Sequence, residues 1–589
     1  MKKSFPLGLP FLQVGVVLGI LLLTTVFWVW PVAQQGYPMT HSTQFNLSWA
    51  FQYQAQFRAG QFYPRWLEYS NFGFGNATFA FYPPLCMVAT LPFALLGADL
   101  PTSLILSNAL GIFACGLGLY LCARTWLPLP WWGAVLVGVM GMSGHYFLGD
   151  FFIRGAMGEG WAVAVIPWIL WRTGELIRSK KGVVPLAVAY GMLVLSHLPT
   201  LLIFTLVWIP WVLIATQERG VILRVYGGFA LALLWTSFYL LPAFFEQSLV
   251  QIDGVNFSDE YKPQFRLMVS GLLRLQPQVT QHWYETSLLR FWWIGVAALA
   301  LGWLGSPIPW MWLWLTGIPM AFMTDLLGWV YPLVQALQRI QFSWRWMAIT
   351  SVSVPLLLGS LVPWPLRRES WRGLARQVLM GAAIVILGGL WLADSGQMQR
   401  RIAFNPPVIQ TFTKQAQRKV AQYPQEPQGS PRQNFLYWHW LLPDGLSLVD
   451  VPEYRAQGVV YPMPPPENVP LVSWQSLPSG SLKVQRWDYG IREIHATNPT
   501  SQPQVLLLRT FYYPAWRITL NGQPHPTEKT PLGQLQITVP PGSHQIRVSY
   551  GMTQWERIGR ILSALTGITT LAIGLWGSLK SPPQSAINR

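Results

Sequence analysis

Apolar residues in this chain come in runs long enough to cross a bilayer, separated by short polar or basic stretches. The runs fall at residues 9–30, 103–123, 131–147, 161–171, 183–195, 201–215, 225–245, 291–304, 308–323, 347–362, 378–392 and 558–576. As a helix, ~20 apolar residues cross the hydrocarbon core, and the shorter runs need snorkelling flanks or a thin region. The pattern predicts an α-helical polytopic membrane protein of roughly 12–13 membrane segments. One further run, 85–96, is short, follows Pro83-Pro84 and contains Pro92. It predicts a half-inserted or re-entrant piece packed against protein. The parity of crossings is met equally well if 131–147 fails to cross.

Beyond residue 392 the pattern changes. Gln, Pro and charge rise, and 405–433 is a polar, Pro-interrupted stretch. From about Leu471 the period becomes two. The segment L-L-L-R-T-F-Y-Y-P-A-W-R-I-T-L, residues 506–520, runs into Asn521-Gly522, a strong hairpin signal. Residues 535–539 alternate, 540–543 turn, and 544–550 alternate again. These features predict a small antiparallel β-sandwich tethered between the last two spans. The implied layout is a transmembrane domain over 1–392 with an outer loop at 31–84, and a polar linker over 393–470. A β-domain follows over 471–555, then a final transmembrane helix at 556–578 and a tail at 579–589.

Composition agrees. Of 589 residues, 52% are hydrophobic and only 11% charged, with a mean hydropathy of +0.31. Soluble domains carry about a quarter charged residues, so a membrane protein is indicated. The net charge of +17 is gathered in short clusters between the runs: Lys2/Lys3, 172–181, Arg219/Arg224, 367–376 and the tail. Such clusters face the cytoplasm, which places 36–84, 149–160, 246–290 and 393–556 outside. Without a groove-reading or stacking motif, this charge excludes nucleic acid as a partner. Cys86, Cys115 and Cys122 lie in or beside apolar runs and read as small hydrophobes. Lys2 and Lys3 ahead of the first run read as a signal anchor.

Candidate chemistry follows from the costly residues. The insert at 36–84 is long, aromatic and Gly-punctuated, which suggests a working surface. Besides its aromatics it offers His41, Arg58, Arg65 and Glu68, its only carboxylate. The sharpest cluster is Asp150, Arg154 and Glu159 amid Gly149, Gly155, Gly158 and Gly160. A carboxylate beside an arginine in a partly dry pocket can act as base, metal ligand or substrate clamp. It can equally cap a helix end as a structural pair. Arg345, flanked by Trp344 and Trp346, suits a lipid-linked phosphate or an interfacial anchor. His197, in L-S-H-L-P-T, and Asp325 sit at ends of apolar segments. Glu246, Asp253, Asp259, Glu260, His282 and Glu285 occupy an outer loop without metal-ligand spacing. No phosphate-cradling loop, nucleophile elbow or zinc signature is present.

Several motifs stand in a shared order: A-G-Q-F-Y-P-R-W, N-F-G-F-G-N, R-G-A-M-G-E, S-H-L, Q-F-S-W-R and Y-Y-P-A-W-R-I-T-L-N-G. Together they resemble the bacterial YfhO-like membrane proteins, including those labelled 6-pyruvoyl-tetrahydropterin synthase-related, though no metal-binding histidine pattern of that chemistry is visible. Such proteins are similar to GT-C glycosyltransferases. The resemblance implies a multi-pass protein of a bacterial cytoplasmic membrane that takes a sugar from a polyprenyl-phosphate donor. It would modify a lipid or cell-envelope glycan on the extracytoplasmic face, where the β-domain also lies. It further implies an outer-loop carboxylate as base and cations holding the lipid phosphate. By position that acid falls around Thr40-His41-Ser42-Thr43, where no Asp stands. The expectation is that Glu159 or Asp150 takes the catalytic role, or that transfer is lost and only a lipid-linked precursor is bound or moved. Arg154, Arg345, His41, Arg65 and His197 are the expected substrate contacts, with a divalent metal neither required nor excluded.

Overall fold

Without water to satisfy it, a backbone at membrane depth must satisfy its own hydrogen bonds, and each apolar run accordingly becomes a helix wherever it can be followed. The computed structural model describes residues 11–252, 309–324, 326–362, 371–407, 409–410, 451–459, 470–476 and 481–580. The expected span at 291–304, Asp253, Asp259, Glu260, His282, Glu285, Asp325 and the linker from 411 to 433 lie outside them.

Two compact units result. One comprises Met1–Thr43, Pro84–Ala232 and Phe257–Phe404, the other Gln44–Pro83, Leu233–Asn256 and Asn405–Arg589. The outer insert therefore divides at Thr43, its larger part belonging with the β-strands and the last helix.

The first unit is helical. Leu12–Gln35, Leu100–Trp126 and Leu198–Ala215 are each long and apolar enough to span a membrane, and two bent helix pairs raise the number to five among the described residues. Leu100–Trp126 starts cleanly because Asp99 accepts a hydrogen bond from the Thr102 amide at 2.8 Å, with Pro101 in the first turn. Small residues let it lie close to its neighbour. A Cβ on Gly138 would come 2.7 Å from the Gly116 carbonyl oxygen. Residues 85–96 form two short helices, Leu85–Val88 and Leu91–Leu95.

Two runs that read as single spans are broken. The 131–147 run stops at Met142 and resumes at His145 with a bend of 41°. At the gap, Ser143 accepts from Trp28 Nε1 at 2.8 Å, and its carbonyl accepts from Ser395. The 225–245 run breaks between Arg219–Trp235 and Ser237–Phe245. There the Phe238 amide donates to Ser563 Oγ at 3.0 Å, and the Ser237 hydroxyl donates to the Gly559 carbonyl at 2.9 Å. The Ser563 side chain of the last helix, Gln554–Lys580, thus satisfies a backbone amide that the break sets free, and Ser237 ties the break to the helix backbone.

The second unit carries two antiparallel sheets. Strands β1 (Val472–Trp474), β4 (Gln504–Phe511), β8 (Gln534–Val539) and β7 (Glu528–Lys529) form one, in the order β1-β4-β8-β7. The other runs β2-β3-β9-β5-β6, from β2 (Ser481–Asp488), β3 (Ile491–Asn498), β5 (Trp516–Leu520), β6 (Gln523–His525) and β9 (Gly542–Tyr550). The hairpin falls where the sequence places it. Asn521 and Gly522 both take positive φ, 49° and 81°, as a two-residue primed turn requires. Alternate residues such as Ile494, Leu506, Trp516, Ile537 and Val548 fill one core, and Trp66, Phe74 and Phe81 of the insert join it. The Phe511 amide donates to the Phe74 carbonyl at 2.7 Å.

Candidate functional site

The bend after Met142 builds the site. His145–Gly149 passes into a π-helical turn, Asp150–Arg154, of a kind that often marks functional sites. Tyr146, Asp150 and Arg154 follow at four-residue intervals and rise on one side of this irregular helix. Gly155 ends the turn in the left-handed region (φ 68°), so that Met157–Ser179 starts at once with Glu159 in its first turn. The Phe151 ring fixes the angle between these pieces. A Cβ on Gly160 would meet it at 2.7 Å, and one on Gly111 at 3.0 Å.

Two carboxylates and two arginines converge here. Arg154 Nη1 pairs with Asp150 and donates to the Tyr146 hydroxyl at 3.0 Å. Its Nη2 lies 3.0 Å from Glu159 Oε2. The Tyr146 hydroxyl in turn donates to Glu159 Oε1 at 2.5 Å. Arg345 Nε lies 3.7 Å from Glu159 Oε2, and its Nη2 donates to Gln341 Oε1 at 2.7 Å. Gln341 holds a positive φ of 65°, which costs a non-glycine residue roughly 1–2 kcal/mol. Both carboxylate side chains are fully buried, whereas Arg154 and Arg345 are 13% and 12% exposed.

The formal charges balance, but the hydrogen-bonding capacity does not. Asp150 Oδ2, Arg345 Nε and Ser343 Oγ are buried without a hydrogen-bond partner. Ser343 and Arg345 share one short helical turn, Ser343–Trp346. Buried donors and acceptors of this kind are costly unless something completes them. The arrangement suits an anionic ligand with a hydroxyl-bearing neighbour: guanidinium and hydroxyl groups donate, and a carboxylate oxygen accepts. Among the described residues no group of three or more His, Cys, Asp or Glu side chains could hold a metal ion. Asp150 and Glu159 are engaged by Arg154 instead.

The remaining candidates divide between the units. His197 precedes Leu198–Ala215, pairs through Nδ1 with Thr200 Oγ1 at 2.8 Å, and is within electrostatic reach of Glu159, Arg345 and Arg154. The exposed His41 approaches through its backbone, its amide donating to the Ile153 carbonyl at 3.0 Å, one residue before Arg154. Arg65, expected among the substrate contacts, belongs to the second unit. There it is buried, pairs with Glu556 at the start of the last helix and donates to the Phe238 carbonyl at 3.1 Å, which makes it an anchor. Glu68 is buried in the same unit against Arg492, and burial pushes its carboxyl above the usual range despite that cation.

The motif reading missed Tyr146, Ser343 and Gln341. The four-residue step from Tyr146 through Asp150 to Arg154 was a visible signal for the first. Gln341 and Ser343 lie within the Q-F-S-W-R motif, which was read for Arg345 alone.

No family model and no curated protein matches the sequence. Among solved structures, the chain is similar to the arabinofuranosyltransferase AftD from mycobacteria at 18% identity, covering 80% of this chain and 32% of that one, with a TM-score of 0.44. It is also similar to the oligosaccharyltransferase of Archaeoglobus fulgidus in its apo form (15% identity, 72% and 61% coverage, TM-score 0.42). A third likeness is to the archaeal oligosaccharyltransferase AglB from the same organism, in complex with an inhibitory peptide and a dolichol-phosphate (14%, 75% and 65%, 0.44). The chain spans between 32% and 65% of the length of these proteins.

Proposed function

We propose that this chain is a GT-C-like membrane glycosyltransferase, related to the YfhO-like proteins, that draws on a polyprenyl-phosphate-linked sugar. In this reading it modifies a lipid or cell-envelope glycan on the extracytoplasmic face of a bacterial cytoplasmic membrane. The observation that carries the reading is the ion-pair knot of Asp150, Arg154, Glu159 and Arg345 with its unfilled groups on Asp150, Ser343 and Arg345.

Roles follow from what each group has left to give. Glu159 already accepts from Tyr146 and faces both arginines, so it positions the guanidinium groups. Arg345 and Ser343 retain donors for phosphate oxygens, and a guanidinium matches these in shape and charge. Glu159 Oε2 also lacks a hydrogen bond but faces both arginines, whereas Asp150 Oδ2 is engaged by neither a hydrogen bond nor an ion pair and is the acceptor left open. In the transfer step the acceptor hydroxyl gives its proton to Asp150 and its oxygen bonds to the anomeric carbon. The bond from that carbon to the phosphate oxygen breaks, and its electron pair leaves on the polyprenyl phosphate. Arg345 and Arg154 stabilise the charge that develops there, a contribution that grows in a water-poor site.

Substitution of Asp150→Asn, Glu159→Gln and Arg345→Ala, with membrane expression retained, tests the reading. Each is expected to abolish or strongly reduce sugar transfer from a polyprenyl-phosphate donor. Unchanged envelope glycan composition for all three, in a strain where deletion of the gene alters it, refutes the transferase assignment. The full burial of both carboxylates favours a second reading, a protein that binds or moves a lipid-linked precursor without turnover. Saturable donor binding lost in Arg345→Ala, with no transfer by the unsubstituted protein, identifies that case.

A further inference from the structure

The segment that links the Trp310–Phe322 helix to the Arg345 turn carries a group of exposed apolar side chains. Leu326 is 49% exposed, Trp329 63%, Leu333 71% and Val334 38%. From 326 to 338 the sequence contains no charged residue, and Asp325 and Arg339 bound the run. Water is a poor environment for such a surface, and a soluble loop of this length would carry charge.

Polar groups along the segment are met from within it. The Trp329 indole N–H donates to the Leu326 carbonyl at 3.0 Å. Gln338 Nε2 donates to the Tyr331 and Pro332 carbonyls at 3.2 and 3.3 Å. The backbone amides of Val330, Val334 and Leu337 donate to Leu327, Val330 and Val334. The segment is also held rigidly. The Tyr331 hydroxyl donates to the Phe322 carbonyl at 2.7 Å and accepts from Trp346 Nε1 at 2.8 Å, and Phe322 stacks on Trp346 at 4.4 Å. Internal satisfaction of polar groups beneath an apolar exterior is what lipid demands of a backbone that is not a regular helix.

We infer that residues 326–334 form a lipid-facing lip, immersed in the boundary between headgroups and acyl chains of the bilayer. The occupant is bulk membrane lipid. Both ends of the segment run into apolar helices, Trp310–Phe322 and, through the Ser343–Trp346 turn, Met347–Leu361, which supports this over a protein partner. Trp329 is the interfacial residue type, and Arg339 at the far end suits the headgroup level. The consequence for the site is geometric. Arg345 follows the lip in the chain, beyond the Gln335–Gln338 helix and in the Ser343–Trp346 turn, so an immersed lip would set it near the headgroup level. The inference holds whether the site transfers a sugar or only binds one.

The test uses the full chain in nanodiscs. Cys86, Cys115 and Cys122 are buried, so single substitutions Leu326→Cys, Leu333→Cys and Val334→Cys can each take a maleimide fluorophore selectively. Leu532→Cys, 48% exposed between β7 and β8, is the aqueous reference. Labels at 326, 333 and 334 are expected to lose most of their emission to nitroxide-bearing acyl chains and little to iodide, with the reverse at 532. Quenching of the lip labels by iodide and not by lipid overturns the inference. Shielding from both quenchers overturns it equally, because protein would then cover the face.

Discussion

Two buried arginine–carboxylate centres, one in each unit, teach different lessons. Glu68 and Arg492 form a sealed pair, at 2% and 0% exposure. The Arg492 guanidinium lies between two indoles, 4.6 Å from the Trp487 ring centroid and 4.2 Å from that of Trp516. Its Nε and Nη1 also lack acceptors, yet aromatic faces enclose them. The Asp150–Arg154–Glu159–Arg345 knot has three ion pairs to that one. Among the described residues its guanidinium groups each lie over a single ring, Arg154 over Tyr146 at 5.5 Å and Arg345 over Phe342 at 5.4 Å. Its arginines keep an exposed edge and its unfilled groups include an acceptor as well as donors. An unpaired buried N–H is therefore not by itself a sign of a site. What distinguishes the knot is that its open groups are complementary to a ligand and its cations are reachable.

Breaking the sealed centre should have the largest effect on folding. Arg492→Leu strands the Glu68 carboxylate and should cost about 3–5 kcal/mol, read as a lowered unfolding midpoint in detergent. Glu68→Gln combined with Arg492→Leu should recover much of that loss, since no uncompensated charge then remains. If Arg492→Leu is as stable as the unsubstituted protein, the sealed pair is not structural.

The open centre should behave in the opposite way. Arg345→Ala should lower the unfolding midpoint less than Arg492→Leu does, because Arg154 still pairs with Glu159, while lowering transfer or donor binding about 10²–10³-fold, as expected for a lost oxyanion contact. A large drop in stability with residual function intact would make the two centres alike and remove the basis for the proposed site.

Tyr146→Phe sharpens the comparison further. It deletes one hydrogen bond to a carboxylate and one from an arginine, each worth about 1.5–3 kcal/mol. Because the hydroxyl bonds to Glu159 and Arg154, a lower turnover number with little change in KM is expected. Loss of donor affinity alone would instead place Tyr146 in direct contact with the ligand. The smallest effect is expected at the hairpin. Gly522→Ala at φ 81° should cost about 1 kcal/mol of stability and leave the open centre untouched.

Legibility from sequence followed the range of the physics involved. Membrane helices were readable because insertion depends on local apolar length, and 103–123 and 201–215 emerge within Leu100–Trp126 and Leu198–Ala215. The β-domain was readable because alternation and Asn521-Gly522 are local signals. Asp150, Arg154 and Glu159 were legible as a cluster because they are near neighbours in the chain. The breaks at Ser143-Gly144 and Thr236 were not, since a few small polar residues inside an apolar run do not by themselves end a helix. Each is stabilised by partners far off, among them Trp28, Ser395 and Ser563.

By itself, then, the sequence determined that this is a membrane protein with a β-domain before its last helix, and which costly residues it carries. Tertiary structure alone decided how those residues group. It brought Arg345 to Glu159, gave Arg65 to Glu556, and set Glu68 against Arg492, which is 424 positions away. The physical reason is that a charge taken out of water must find a partner in space, and nothing in its immediate neighbours specifies which distant partner the folded chain will supply.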